Sequence, residues 1–155
     1  MGEASTPQFG NRKPTSSKAS RSMRGNRKRD TRPEVVLRRE LWRRGLRYRL
    51  HARDLPGRPD IVFRRAKVAV FCDGDFWHGR DWPERERKLA RGNNADYWIP
   101  KIQSNMVRDR ACDDELATMG WVVVRIWEST IKADVASVVE RVESALRRSG
   151  LAAGG

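Results

Sequence analysis

"PDIVFRRAKVAVFCDGDFWH", from Pro59 to His78, sets two short apolar runs on either side of a basic tip and follows them with acids, rings and an imidazole. "DIVF" and "KVAVF" are rich in β-branched and aromatic side chains, and the Arg64-Arg65 tip between them predicts a hairpin. Asp60 begins the first strand and Asp73 ends the second. Antiparallel pairing would therefore bring both carboxylates to the same end of a sheet.

Working outward, "TRPE" at 31–34 offers a helix cap, a first-turn proline and an early acid. Val35, Leu37, Leu41 and Trp42 then follow on roughly one helical side. This predicts a helix ending near Gly45. "LRYRL" (46–50) alternates as a half-buried strand should, and "LPGRP" (55–59) reads as a turn. Asp81 to Asn94 is charged and predicts a loop, with room for a short helix. From Asp96 to Met119 a long helix is expected, with Pro100 in its first turn and an apolar stripe of Ile102, Met106, Cys112, Leu116 and Met119. "WVVVRIW" (121–127) is apolar on both sides and predicts a central strand, and Asp134 caps a last helix carrying Val135, Val138, Val139, Val142 and Leu146. Trp42, Trp121 and Trp127 lie in periodic or apolar segments and are expected in the core. The order α-β-β-β-α-β-α defines a single α/β domain over 31–149. A basic arm over 1–30 and a short tail over 150–155 are expected to be disordered, since they lack the apolar side chains that offset ordering entropy.

Thirty-three Lys and Arg against twenty Asp and Glu give a net charge of +13 in 155 residues. Such a balance calls for a polyanionic partner, with nucleic acid ahead of anionic membrane. No apolar run is long enough to span a bilayer and the N-terminus lacks a signal-peptide core, so a soluble, intracellular protein is expected. Cys72 and Cys112 show no CxxC spacing and read as two reduced, buried thiols.

Paired carboxylates at strand ends suit a hard divalent cation, with water and phosphate oxygens completing its shell. In a basic protein that binds phosphate, the cation also reverses the local negative charge. Asp60 and Asp73 are the candidate ligands of magnesium. His78 is a candidate general base or acid, and Glu34 a further acid within reach of the attacking water. Each has a plainer reading: aspartates beside Pro and Gly form turns, and single histidines are often structural. Phe76 and Trp77 are adjacent in a turn, where both rings do not easily face inward; a wedge that unstacks a base step and ordinary core packing are the two readings. Trp98, at the start of the long helix, has the same two readings.

Five stretches, in order and with suitable gaps, resemble the very short patch repair endonucleases of the PD-(D/E)XK nuclease superfamily. They are "SKASRSMRGNRKRDTRPEVVLRREL", "LPGRPDIVF", "VFCDGDFWH", "YWIPKIQSNMVRDR" and "GWVVVRIWE". The resemblance covers about Ser17 to Leu146. It implies a restriction-endonuclease-like mixed sheet flanked by helices and a magnesium-dependent endonuclease that nicks one strand of duplex DNA beside a T:G mismatch. By that resemblance Asp60 is the metal-binding aspartate, with the backbone carbonyl of Cys72 as a further ligand. His78 is a catalytic histidine and Glu34 assists the attacking water. Phe76, Trp77 and Trp98 enter the DNA, and the arm with Arg24, Arg27, Lys28 and Arg29 contacts it. One or two ions, mismatch-repair proteins as partners and a bacterial, nucleoid-associated cytoplasmic location are also implied, and a monomer is expected because neither a heptad repeat nor an obvious apolar patch demands a dimer.

The chain departs from that pattern. Asp73-Gly74-Asp75 stands where well-known members have His-Gly-Cys, which makes Asp73 a candidate second metal ligand, and the superfamily lysine is missing. Asp75, Arg80, Trp82 and Ser129 occupy positions of the family's structural zinc ligands, so no zinc is expected, and local packing around Trp82 is expected to stand in for it. Two rivals follow: a restriction or defence nuclease without mismatch specificity, and a DNA-binding module that has lost catalysis.

Overall fold

The computed structural model describes residues 29–149. Helix α1 (Arg32–Arg43) opens the domain. Thr31 Oγ1 accepts the Glu34 N–H at 3.4 Å, and Pro33 fills a position whose missing N–H costs nothing. Strands β1 (Arg49–Leu50), β2 (Ile61–Phe63) and β3 (Val68–Asp73) follow, then α2 (Trp82–Ala90), α3 (Ala95–Thr118), β4 (Val122–Trp127), α4 (Glu128–Ala133) and α5 (Val135–Arg148). The four strands lie in the order β1-β2-β3-β4. β1, β2 and β3 are antiparallel neighbours, and β4 pairs with β3 in parallel after the α3 crossover.

The two faces of this mixed sheet are covered separately, as the two-residue period of strands requires. Ile61, Phe63, Val68, Val70, Val124 and Ile126 pack with Leu37 and Leu41 of α1, Ile131 of α4 and Val138, Val139 and Val142 of α5. Val62, Ala69 and Phe71 turn the other way, onto Ala52, Leu55 and Leu116 of α3, with Trp121 and Val123 alongside. Asp134 caps α5 as expected, its side chain accepting the Ser137 N–H at 3.1 Å.

Several local expectations are corrected. "WVVVRIW" is an edge strand: both its faces pack, but among the described residues its second lateral side has no partner strand, and Val122 is exposed. "LRYRL" contributes two paired residues, both exposed. The short helix allowed for in the 81–94 segment is present as the nine-residue α2, whereas the short helix α4 before α5 is an addition to the expected order. Pro100 lies at the sixth residue of α3, past its first turn, and Met119 is exposed beyond the helix end. Trp42 is 52 % exposed, with the Arg47 guanidinium stacked 3.6 Å from its ring centroid and Tyr48 edge-on. A cation over the ring replaces the expected core contacts. Cys72 and Cys112 are free thiols, half-buried rather than buried. Arg24, Arg27 and Lys28 of the arm and the 150–155 tail lie outside the described residues, while Arg29 is exposed just ahead of α1. Among the described residues no helix is long and apolar enough to cross a membrane.

Leu37 is fully buried where α1 meets the sheet. Leu37→Ala should lower unfolding free energy by about 3 kcal/mol, the usual scale for a leucine cavity, as read by urea denaturation.

Candidate active site

The register of the β2-β3 hairpin, with Ile61 opposite Val70, sets Asp60 and Asp73 at one end of the sheet. Asp60 is fixed through its backbone and its side chain together. Its N–H donates to Val70 O at 3.0 Å, its carbonyl accepts from His51 N at 3.0 Å, and its Oδ2 accepts the Cys72 N–H at 2.7 Å. Burial pushes the Asp60 carboxyl up to about 7 against the pull of the Cys72 N–H, and the negative charges of Glu34 and Asp73 push the same way. Burial likewise raises the Cys72 thiol well above its ordinary range, so the side chain stays a neutral thiol.

Glu34 reaches this edge from α1. It is 1 % exposed, accepts the Asp30 N–H at 2.9 Å, and lies 3.5 Å from Arg38 and 3.6 Å from His51. Asp30 joins the same group, 2.8 Å from Arg38 and 3.0 Å from His51. Desolvation raises the Glu34 pKa, with His51 and Arg38 opposing.

On the other side, His78 Nδ1 meets Asp109 Oδ2 at 2.5 Å and lies 3.8 Å from Asp73. Burial pulls the imidazole pKa down, but the Asp109 hydrogen bond and the charges of Asp73 and Asp109 outweigh it, and the net direction is up. His78 is followed by Gly79 at φ +73°, where a Cβ would run into Met106 of α3. Asn105 Nδ2 donates to Trp77 O at 2.9 Å, so α3 holds this loop at two points.

Arg125, alone among the apolar side chains of β4, completes the arrangement. Its Nη1 lies 3.1 Å from each oxygen of Asp73, its Nε binds Asp113 at 2.9 and 3.0 Å, and Nη2 donates to the Asp109 carbonyl at 3.3 Å. The guanidinium also lies 4.1 Å from the Phe71 ring centroid. Burial raises the Asp73 carboxyl pKa, opposed by His78 and Arg125. The sequence reading passed over His51, Asp109, Asp113 and Arg125. The available signal was the arginine itself, since a charge inside an apolar strand requires acids from a neighbouring element.

Two clusters of ligand-bearing side chains result, Asp30–Glu34–His51 and Asp73–His78–Asp109, each compact enough to hold a divalent ion. Asp60 belongs to neither and stands between them, acted on by the charges of Glu34, His51 and Asp73. The donor set fits a hard cation, because acids gather at Asp60 and, among the described residues, no basic side chain is hydrogen-bonded to it. Asp73 differs, since an arginine already neutralises it.

The aromatic side chains also come together. Phe76, Trp77 and Trp98 form a triangle with centroids 5.2, 5.4 and 5.6 Å apart, all in edge-to-face contact, and Tyr97 lies 4.8 Å from Trp98. All four are half-buried. Lys101 lies 5.9 Å from the Trp77 centroid and Arg85 5.5 Å from that of Phe76, so the triangle is flanked by cations. Of the zinc-position residues, Asp75, Arg80 and Ser129 are hydrogen-bonded together. Trp82 opens α2 and makes none of these bonds.

A mixed sheet with carboxylates at the end of a β-hairpin and helices on both faces is the restriction-endonuclease-like fold of the PD-(D/E)XK-like nuclease group. Residues 13–84 match the family model described as DNA mismatch endonuclease Vsr. The chain is 37% identical over 133 residues to the type II nicking enzyme V.NmeDIP of Neisseria meningitidis serogroup C, covering 86% of this chain and 88% of that one. It is 42% identical to the type II nicking enzyme V.NaeI of Lentzea aerocolonigenes, covering 82% and 78% of the two chains. With the DNA mismatch endonuclease Vsr of Escherichia coli it shares 34% identity, covering 73% and 70%. The chain belongs to the family of Vsr and the type II nicking enzymes.

The Asp60 carboxyl binds its proton more tightly in the folded state than in the unfolded one. Without a divalent ion it therefore lowers stability as pH rises from about 4 to about 7, and the loss persists above that window. Asp60→Asn should flatten this slope and raise stability at pH 8 in EDTA by about 1–2 kcal/mol, read by urea unfolding. Arg125→Met should cost about 3 kcal/mol by leaving Asp73 buried without its arginine, and Asp73→Asn in the same chain should recover most of it.

Proposed function

We propose that this protein is a magnesium-dependent endonuclease that cuts one strand of duplex DNA. The observation that carries the reading is the Asp60 carboxylate, fixed by the Cys72 N–H at the same end of the sheet as Asp73, which lies 3.8 Å from His78 of the His78–Asp109 pair. In this reading Asp60 and the Cys72 backbone carbonyl hold the ion, which when bound polarises the phosphate and lowers the pKa of water. Asp73, paired with Arg125, serves chiefly to orient His78 and to balance charge.

His78 acts on the attacking water. Asp109 accepts the proton of Nδ1, which leaves Nε2 unprotonated and free to take a proton in the neutral imidazole. Glu34 reaches the same edge from the opposite face, held by the Asp30 N–H. The basic surface binds phosphate without regard to sequence, and the arm with Arg24, Arg27, Lys28 and Arg29 adds to it.

Two substrate readings are separable. The type II nicking enzymes among its relatives favour a nuclease of the restriction or defence type, acting on DNA without mismatch specificity. The half-buried Phe76–Trp77–Trp98 triangle and the Vsr family match favour nicking beside a T:G mismatch in short-patch repair, because unstacking a weakened base step costs less than unstacking a paired one.

A nicking assay on matched and T:G-mismatched duplexes, with magnesium or EDTA, tests this. Magnesium-dependent nicking by the wild type, reduced at least 10³-fold in Asp60→Asn (on the order of a lost electrostatic catalyst), is the expected result. Equal cutting of both duplexes would select the restriction-type reading, and cutting confined to the mismatch the repair reading. Asp109→Asn should lower the maximal rate and move the acid limb of the rate profile to lower pH, since the His78 pKa falls when its partner is neutral.

A further inference from the structure

The loop from Gly74 to Arg80 carries Phe76, Trp77 and His78, and it is closed by a polar ring formed by the side chains of Asp75, Arg80 and Ser129. Asp75 and Arg80 bracket the loop, with the Arg80 N–H donating to Asp75 O at 3.0 Å. Their side chains then meet at the start of α4. Ser129 N–H donates to Asp75 Oδ1 at 3.1 Å, Ser129 Oγ donates to Asp75 Oδ2 at 2.5 Å, and Arg80 Nη1 donates to Asp75 Oδ2 at 3.1 Å. Arg80 Nη1 also donates to Ser129 Oγ, and lies 3.5 Å from Thr130 Oγ1. Every donor and acceptor in this ring has a consistent role: Arg80 Nη1 gives to Asp75 and Ser129, the serine hydroxyl accepts once and gives once, its N–H gives once, and the carboxylate only accepts.

The ring has three physical consequences. It satisfies an N–H in the first turn of α4, where Trp127 at the cap position supplies no side-chain acceptor. It joins the loop to the junction of β4 and α4, beyond the strand that carries Arg125. Through Arg80 it also reaches the aromatic triangle, since Arg85 Nε donates to Arg80 O at 3.3 Å and Arg85 lies over Phe76. The loop is thus held by α3 at Trp77 and Gly79, and by this clasp at both ends.

We propose that Asp75, Arg80 and Ser129 are positioning residues that hold the Phe76–Trp77–His78 loop in its DNA-engaging geometry. The proposal rests on the nicking reading for its kinetic consequence and on the geometry alone for its structural one. Neither Asp75 nor Ser129 touches the Asp60 site by any hydrogen bond described. Loss of the clasp therefore weakens alignment of the loop after DNA has bound, not ion binding or phosphate contact.

The test uses the full chain labelled with 5-fluorotryptophan, its fluorine resonances for Trp77, Trp98 and Trp121 assigned by single Trp→Phe variants. Asp75→Ala and Ser129→Ala should each broaden or shift the Trp77 and Trp98 lines and leave Trp121 unmoved. On the duplex that the wild type cuts best, each should lower kcat at least tenfold with KM changed less than threefold, and the double variant should be no slower than Asp75→Ala. Arg80→Lys should fall between these and the wild type. Unmoved Trp77 and Trp98 lines in both alanine variants would overturn the proposal, as would kcat within twofold of the wild type or additive losses in the double variant. If Asp75→Ala does not fold, Ser129→Ala, which keeps the Asp75–Arg80 ion pair, decides. If the wild type cuts no duplex, the nicking reading fails, and the fluorine spectra still decide the clasp.

Discussion

Two carboxylates brought to one end of a buried hairpin are the constraint on which the rest of the site depends. Asp60 and Asp73 arrive there because β2 and β3 pair with Ile61 opposite Val70, and a slip of one residue would turn every apolar side chain of the hairpin to the wrong face. The cost is electrostatic, since like charges in a poorly solvated place oppose one another. The molecule handles the two acids differently. Asp73 is 5 % exposed and receives an arginine from the next strand. Asp60 receives the Cys72 N–H, which pulls its pKa down, but burial and then the charges of Glu34 and Asp73 outweigh it, raise the pKa and leave the carboxyl in want of a cation. That asymmetry supports giving Asp60 the ion and Asp73 the histidine.

The separate covering of the two sheet faces explains how the site is assembled. Glu34 comes from α1, on the face packed by α4 and α5, whereas Asp109 and Asp113 come from α3 on the opposite face. The strand ends are where both layers can reach one another without crossing the apolar interior. Arg125 binds this edge together, touching acids of α3 and the last residue of β3 at once. Because each core fixes its own helix, the acids from the two layers are aligned by packing and not by contact with each other, and the two cluster centres need no shared ligand.

What was legible in the sequence was whatever depends on local period. The hairpin, the caps at Thr31 and Asp134 and the convergence of Asp60 with Asp73 all follow from side-chain alternation and turn chemistry. The meeting of Phe76 and Trp77 with Trp98 was half-visible, because the first two are adjacent and the third sits near a helix start. The helix-to-strand contacts were not legible. Asp109 and Asp113 are one turn apart on α3 and resemble any solvated acidic pair, and only the docking of α3 on the sheet turns them toward Arg125. Lateral order is invisible for a related reason: apolar residues on both faces show that β4 is covered, but carry no information about how many strands flank it. Trp42 shows the same limit at a single residue, since Arg47 supplies a partner that periodicity cannot anticipate.

The aromatic triangle bears on the choice between substrate readings through its energetics. Its three rings pack edge to face on one another and not into either apolar core, so they are ordered before any ligand arrives. On the proposed reading, a preordered wedge gives up little conformational entropy on entering a duplex, and the remaining cost is the unstacking of one base step, a few kcal/mol. That cost belongs to the DNA and is lower at a mismatch. A preference for mismatched duplex can then arise without any side chain reading the mismatched bases. The same wedge on a protein with extra phosphate contacts would open matched steps as well. On that reading mismatch selectivity would be a balance between the basic surface, which would bind every duplex alike, and the rings, whose insertion would be cheap at weak steps. The net charge of +13 tilts that balance toward tolerance, and raised salt, which weakens phosphate contacts and leaves stacking nearly untouched, tilts it back.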